Sequence, residues 1–365
     1  MDEVVAVIGA GNVGCALAAD LAMRGVEVRL CTRSTARLAP LRAAGTLTVT
    51  GEVSGSVMLP PTTTSVRDAL AGASVVALTV PTPALPHYVP ALVAEFTSEQ
   101  LLWLDPGHSG GALYVAAEFA RSGRRAPLIC QLSTASHGSR MSGPASVGVF
   151  RLPEALLAAF PGRRVAECHE RIDGLLPGRY SRAATVVELD LMNINAVMHP
   201  AQMIGNASWI EATAGDFCIY QEGTGPAVGR FMDAVDAERL AIAGCLGLPA
   251  APFVDILCRA GFTTPEAARL GRAHAALSAG DPIREVKAPP SLDHRYLHED
   301  VGWGLVPWTA LATAADVGTP TMNALIHLAG VANQVDYLSL GLGLDRMGLA
   351  DMGPERIMTY ARTGS

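Results

Sequence analysis

The sequence predicts an α/β fold, with an N-terminal Rossmann-type doubly wound sheet followed by an all-helical C-terminal domain. Three observations carry this. Short apolar runs alternate with helical patterns through the first half. A glycine cluster follows directly on the first of those runs. From about Thr185 the strand-like runs give way to long helical stretches. The expected domains are therefore 1–183 and 184–365.

Composition fits that division. A chain of 365 residues makes about two domains. With 50% apolar and only 17% charged residues, it fills large cores easily. No run approaches the ~18 apolar residues of a membrane span. The opening Met1-Asp2-Glu3 lacks the basic region of a leader, so none is expected. The seven cysteines (15, 31, 130, 168, 218, 245 and 258) include no Cys-x-x-Cys pair. That pattern fits reduced thiols in a cytoplasmic protein and argues for no metal site. A net charge of −7 without an extended basic cluster excludes nucleic acid as a partner.

Taken in order, Val4 to Ile8 is a buried parallel strand, Cys15 to Arg24 a helix ended by Gly25, and Val26 to Cys31 a second strand. Between the first two lies Gly9-Ala10-Gly11-Asn12-Val13-Gly14. A G-x-G-x-x-G in the turn between a strand and a helix is the dinucleotide fingerprint. Gly9 permits the tight turn, Gly11 lets a pyrophosphate approach the backbone, and Gly14 allows close helix–strand packing. Asn12 and Val13, within the same turn, are further cofactor-binding candidates, and the N-terminus of the helix that follows faces the phosphates. An NAD site usually carries an acid at the end of the second strand. Here that position reads Thr32-Arg33-Ser34, with Arg37 one turn on. No carboxylate repels a 2′-phosphate and Arg33 can pair with one, so NADP(H) is favoured over NAD(H).

Ser74 to Val80 is the next strand, ending in Pro81-Thr82-Pro83 at the carboxyl edge of the sheet, where Pro81 is expected against the cofactor. Leu101 to Leu104 leads into the glycine-rich loop Asp105 to Gly111, which holds His108. Leu128 to Ser133 follows, then Arg140 in a Ser/Gly-rich loop, a strand over Ala145 to Phe150, and a helix with a short strand over Arg151 to Val165.

The second half reads as helices over 185–213, Pro226–Gly244, Pro249–Ala260, Pro265–Ser278, Gly304–Val317 and Pro320–Ala332. Asp233, Asp236, Glu238 and Arg239 lie on a polar helix face with a structural or solvent-facing role. The first helical stretch contains Leu191 to Asn206, an apolar segment with one ionisable residue. At ~100° per residue, Asn195, His199, Met203 and Asn206 share a face. Pro200 cannot donate its N–H, so the helix should kink or begin beside His199. A polar stripe in an apolar helix needs a polar counterpart, which makes His199 the candidate to face the reaction, with the cofactor between the two domains.

Pro289 to Pro307, which packs Asp293, Glu299 and Asp300 among two histidines, Arg295 and aromatic residues, is either that counterpart or a surface salt-bridge loop. A carboxylate on His199 would fix its tautomer, but spacing leaves all three acids open.

These segments together resemble the opine dehydrogenase family of octopine and nopaline dehydrogenase-like enzymes. The likeness spans nearly the whole chain. It rests on the Gly9–Gly14 fingerprint, on Asn193-Ile194-Asn195 running to His199-Pro200 and Asn206, and on Tyr220-Gln221-Glu222-Gly223. It continues in Asp236 to Leu240, Arg295 to Val301 and Gly304-Leu305-Val306-Pro307. The resemblance implies reductive condensation: an α-keto acid and an amino acid form an imine, which NAD(P)H reduces to a secondary amine. It implies His199 as general acid/base and Asp300 as its partner. Substrate carboxylates need cationic or amide groups, and Arg295, Arg140 and Asn206 are the candidates. The chain departs from the family at Gln131, where a glutamate is common, which bears on substrate identity. The expected partners are a small keto acid and an amine, with a homodimer as a further expectation. Two rivals remain. A ketopantoate reductase-like or hydroxy-acid reductase would rely on a lysine acid, and Lys287 is the only lysine. A non-catalytic NADP-sensing protein would not need a His–Asp pair.

Overall fold

The run Val4–Ile8 is apolar at all five positions and buried at four of them, and such a strand is stable only when both faces are covered. In the computed structural model, which describes residues 3–365, it is an interior strand of a wound sheet. The strands are β1 (Val4–Ile8), β2 (Glu27–Cys31), β3 (Thr46–Gly51), β4 (Gly55–Met58), β5 (Thr62–Thr63) and β6 (Val75–Leu78). They continue with β7 (Leu101–Leu104), β8 (Leu128–Leu132), β9 (Gly138–Gly143), β10 (Ser146–Arg151), β11 (Ala155–Phe160) and β12 (Tyr180–Arg182). Eight of them form one sheet in the order β12-β11-β8-β7-β6-β1-β2-β5, parallel from β5 to β8, with β11 antiparallel to β8. The helices of this part are α1 (Asn12–Met23), α2 (Thr35–Ala44), α3 (Val66–Leu70), α4 (Leu85–Glu95), α5 (Gly111–Arg121), α6 (Val165–Leu175) and α7 (Val186–Asp190). The chain leaves β1 toward β2 on one side and returns to β6 on the other. The carboxyl ends of β1 and β6 therefore flank the switch point, where an open α/β sheet takes its ligand.

Three readings of this half are corrected. The strand read at Ala145 to Phe150 exists as β10 but lies outside the main sheet, in a second four-stranded sheet of order β4-β3-β10-β9. Its buried side chains alternate: Leu47 and Val49 from β3, Val147 and Val149 from β10. Arg140 is not in a loop but on β9, opposite Gly148. The segment after Arg151 is the strand β11 followed by α6, rather than a helix and then a strand.

The helical part comprises α8 (Ile194–Gly205), α9 (Ala207–Thr213), α10 (Pro226–Cys245), α11 (Phe253–Arg259), α12 (Pro265–Ala268) and α13 (Ala273–Ser278). It continues with α14 (Arg295–Asp300), α15 (Val306–Ala314), α16 (Pro320–Asn333), α17 (Tyr337–Leu340) and α18 (Pro354–Thr363). Its only extended pairing among the described residues is an isolated bridge between Cys218 and Lys287. The stretch read as one helix over 185–213 is three, α7, α8 and α9. Helix α8 starts at Ile194 and runs through Pro200, so it does not begin beside His199. The stretch read over Pro265–Ser278 breaks at Gly271, which is left-handed at φ +63°.

The chain divides into two compact units, one reaching to Leu189 and including Thr359–Ser365, the other Asp190–Met358. The expected boundary after 183 falls just before α7, whose Val186, Val187 and Leu189 are buried and belong to the first unit. The chain end also returns there, with the ring of Tyr360 5.2 Å from that of Phe160. No helix among the described residues is long and apolar enough to cross a membrane. Met1 and Asp2, part of the reading that no leader is present, lie outside the described residues.

Candidate active site

In the first unit the fingerprint occupies the β1–α1 turn. Gly9 has φ +119°, and a Cβ there would lie 2.7 Å from Thr79 Oγ1 at the end of β6. That threonine donates to the carbonyls of Ile8 and Gly9, clamping the turn. A Cβ on Gly14 would lie 1.7 Å from the Gly9 carbonyl oxygen, so only glycine lets α1 start this close to β1. Gly11, the residue before α1, has open space where its Cβ would be. A bare helix N-terminus with an open glycine ahead of it is what a pyrophosphate requires, so these residues fit a dinucleotide. Asn12 is committed elsewhere, accepting from the Met141 N–H at 3.0 Å, and Val13 is partly buried beside it.

At the end of β2, Thr32 is buried and accepts from the Ser34 N–H, while Ser34 caps α2 by accepting from the Arg37 N–H at 3.1 Å. Arg37 turns back onto the glycine turn, donating to the Ala10 carbonyl at 2.7 Å. Arg33 is exposed at the strand end. Pro81 is exposed just beyond β6 and leads into the short turn Thr82–Ala84. Gln131 is fully buried: its Oε1 accepts from the Ala112 N–H at the start of α5, and its amide donates to the His108 carbonyl. It holds the 107–110 loop, and a glutamate could not make the second bond.

Residue reasoning missed a buried ionic network in this unit. Asp20 on α1 meets His137 Nε2 at 3.0 Å, Arg24 at 2.8 Å and Arg179 at 3.0 Å. Ser136 links His137 Nδ1 to Asp105, at 2.8 and 2.5 Å. Burial pushes the Asp20 carboxyl up, but His137 and Arg24 outweigh it and hold it at about 2. Burial raises the Asp105 carboxyl above the ordinary range despite its bonds to Ser136. Any of these side chains alone would be costly to bury, so the group is stable only as a connected set.

In the second unit, His199 on α8 and Asp300 at the end of α14 are both 3% exposed, with Nδ1 2.7 Å from Oδ2. The three candidate acids separate cleanly. Asp293 is 91% exposed and pairs with His298, Glu299 pairs with Arg295, and Asp300 alone reaches His199. A short π-helical turn, Val301–Leu305, follows Asp300. In it a Cβ on Gly304 would sit 2.8 Å from the Cβ of Ala196, so the missing side chain lets this turn close on α8. With Nδ1 turned to the carboxylate, Nε2 is the ring nitrogen that faces the rest of the cluster.

Two tyrosines complete the cluster, and neither was singled out from sequence. The Tyr220 hydroxyl lies 3.0 Å from His199 Nε2. The Tyr296 ring stacks on the imidazole at 3.6 Å and 7°, and its hydroxyl is 3.4 Å from that of Tyr220. Burial, with Tyr296 next, raises the Tyr220 phenol well above its ordinary value. The signal was present in Tyr220-Gln221-Glu222-Gly223, a turn with a structural logic of its own. Gln202 on α8 donates to Thr224 Oγ1 and the Ile219 carbonyl, and Asn206 donates to the Gly223 carbonyl at 2.7 Å. Asn206 also donates to the Gln202 carbonyl, so its amide hydrogens brace the turn that presents Tyr220. Arg295, on the first turn of α14, has a side chain 58% exposed and lies 5.7 Å over the Tyr296 ring. Arg140 is exposed on β9 of the first unit. Arg239 is 1% exposed, held by Asp236, and donates to the Leu191 carbonyl just ahead of α8, so this pair is structural.

Comparison with known proteins decides the kinship. The chain is 30% identical over 351 residues to the opine dehydrogenase of Arthrobacter sp. (strain 1C), covering 95% of each chain. The chain belongs to the opine dehydrogenase family. The family model described as NAD/NADP octopine/nopaline dehydrogenase, alpha-helical domain, matches residues 182–333. A solved octopine dehydrogenase with NADH and L-arginine superposes with a TM-score of 0.81 at 20% identity, over 98% of each chain. A yersinopine dehydrogenase with NADP+ gives 0.78 at 16% identity, over 97% of this chain and 95% of the other. At those identities the two structures speak to fold. As a member of this family, the protein is an NAD(P)-dependent oxidoreductase that acts on CH–NH bonds, condensing a keto acid with an amine and reducing the imine. The ketopantoate reductase model matches only residues 5–100, part of the dinucleotide-binding unit. Lys287, which a lysine-dependent carbonyl reductase would need, is exposed and paired with Asp216.

Proposed function

We propose that His199 is the general acid/base of this opine dehydrogenase, that Asp300 orients and charges it, and that NADP(H) is the preferred cofactor. The observation that carries the reading is the buried 2.7 Å contact between His199 Nδ1 and Asp300. A carboxylate on Nδ1 makes Nε2 the single exchanging nitrogen and stabilises the imidazolium. When bound, the reduced dinucleotide supplies a hydride to the imine carbon. His199 supplies the proton that the nitrogen needs as it gains electrons, and in the reverse direction removes it.

The glycine turn and α1 would hold the pyrophosphate. Arg33 would hold the 2′-phosphate, since β2 ends without a carboxylate and Arg37 is occupied by the Ala10 carbonyl. Thr32 and Ser34 shape that strand end, and Pro81 would border the dinucleotide. Arg295 is the group best suited to a substrate carboxylate, because its guanidinium is half exposed on the same helix as Tyr296 and Asp300. Arg140 is a weaker candidate, and Asn206 acts through the Tyr220 turn. A cytoplasmic setting fits seven cysteines that are all free thiols. A homodimer is compatible with this reading.

The test is to follow NADPH and NADH oxidation separately with pyruvate and a panel of amino acids. His199→Ala should lower kcat by about 10²-fold or more while NADPH binding holds. Activity retained in that variant removes His199 from the chemistry, and a clear preference for NADH removes Arg33 from the cofactor site.

A further inference from the structure

Each turnover in the reductive direction consumes one proton: keto acid, ammonium form of the amine, NADPH and H+ become secondary ammonium product, water and NADP+. His199, which would deliver it, is 3% exposed, with Asp300 on Nδ1 and the Tyr296 ring over one face. Its exchanging atom, Nε2, already faces a hydroxyl, that of Tyr220, itself 6% exposed. The chain of hydroxyls does not stop there. Tyr220 meets the Tyr296 hydroxyl at 3.4 Å, and Tyr296 is the partly exposed member of the three.

We infer that Tyr220 and Tyr296 form a proton relay that recharges His199 between turnovers, a role that rests on His199 being the acid. In the neutral state Nδ1–H donates to Asp300, so Nε2 is an acceptor and the Tyr220 hydroxyl donates to it. A proton then moves in from outside by exchange along the chain. Tyr296 takes one from hydronium or a buffer acid in the solvent, which is left as water or the conjugate base, and passes its own to the Tyr220 oxygen as Tyr220 passes its own to Nε2. The O–H bonds broken are replaced by O–H bonds formed, and the net change is one N–H on His199. No tyrosinate is needed, which suits a Tyr220 phenol held far above its ordinary range by burial. Around the chain lie Asp300, Arg295 over the Tyr296 ring at 5.7 Å, and His294, edge-on to Tyr296 at 4.7 Å. The turn that presents Tyr220 is held from α8 itself, by Gln202 and Asn206, so donor and acceptor are carried by one local framework.

The experiment uses the full chain with NADPH, pyruvate and whichever amino acid of the panel turns over fastest. Tyr220→Phe keeps the ring and removes the hydroxyl. It should lower kcat by about tenfold or more, leave KM for pyruvate and NADPH within about twofold, and raise the solvent deuterium isotope effect on kcat. Tyr296→Phe, which keeps the stack on His199, should move kcat and the isotope effect the same way by a smaller factor. A Tyr220→Phe enzyme with wild-type kcat overturns the relay. So does a loss confined to KM, or a loss of kcat with the isotope effect unchanged, which would make the hydroxyl a substrate contact or a structural brace. The two readings separate through His199→Ala: if that variant is inactive while Tyr220→Phe is normal, only the relay fails.

Discussion

Asp300→Asn isolates the electrostatic part of the His199 site. The amide is nearly isosteric with the carboxylate, and its Oδ1 can still accept from Nδ1–H, so geometry survives and charge is removed. In the native protein the carboxylate oxygen is 2.7 Å from Nδ1 and both residues are 3% exposed. Taking the charges as ~4 Å apart and an effective dielectric of about 20, the carboxylate favours the imidazolium by about 4 kcal/mol. At ~1.4 kcal/mol per decade that is about a 10³-fold loss in kcat if the imidazolium is the proton donor. The assay is steady-state NADPH oxidation with the fastest keto acid and amine pair, alongside NADPH binding by fluorescence and a thermal melt. NADPH affinity should stay near wild type, because the fingerprint lies in the other unit of the chain. A variant that folds, binds NADPH and keeps more than about a tenth of wild-type kcat would refute the claim that this charge drives the proton step.

Two further outcomes test the first unit. Gly14→Ala should abolish dinucleotide binding, seen as loss of NADPH fluorescence enhancement, since its Cβ would fall 1.7 Å from the Gly9 carbonyl oxygen, a backbone atom that cannot yield. Asp20→Asn should destabilise the protein by about 2 kcal/mol in urea at neutral pH, because a carboxyl held at about 2 instead of the ordinary ~3.9 stabilises the fold only while ionised. That contribution is fully present above about pH 4 and is lost as pH falls through about 2, so the variant's stability should decline less steeply over that window than wild type.

Much of the fold was legible because periodicity is local. The strand-turn-helix around Gly9–Gly14 shows in fifteen consecutive residues or so, and each glycine has its own steric reason. The second sheet was legible in principle, since Thr46 to Thr50 alternates polar and apolar, but pairing of β3 with β10 joins segments about a hundred residues apart. The Asp20–His137–Asp105 network is of the same kind: each member sits in an unremarkable stretch, and burial makes sense of none until all are together. Asn206 was read as facing substrate because it shares a face with His199. The structure spends its amide on two backbone carbonyls, a difference set by side-chain reach rather than by helical angle.

His199 could be picked out from sequence alone, as the one ionisable group on an apolar helix that had to meet something polar. What it meets could not. Residue chemistry left Asp293, Glu299 and Asp300 equivalent. A resemblance chose among them, and the geometry showed why, by sending one to solvent, one to Arg295 and one to the imidazole. That Tyr220 and Tyr296 gather on His199 emerged only in three dimensions. Local sequence determines which face of a helix is polar, because 3.6-residue periodicity needs no partner. The identity of the partner depends on how segments up to a hundred residues apart close on one another, here through a glycine at 304 that lets the turn after Asp300 settle against α8.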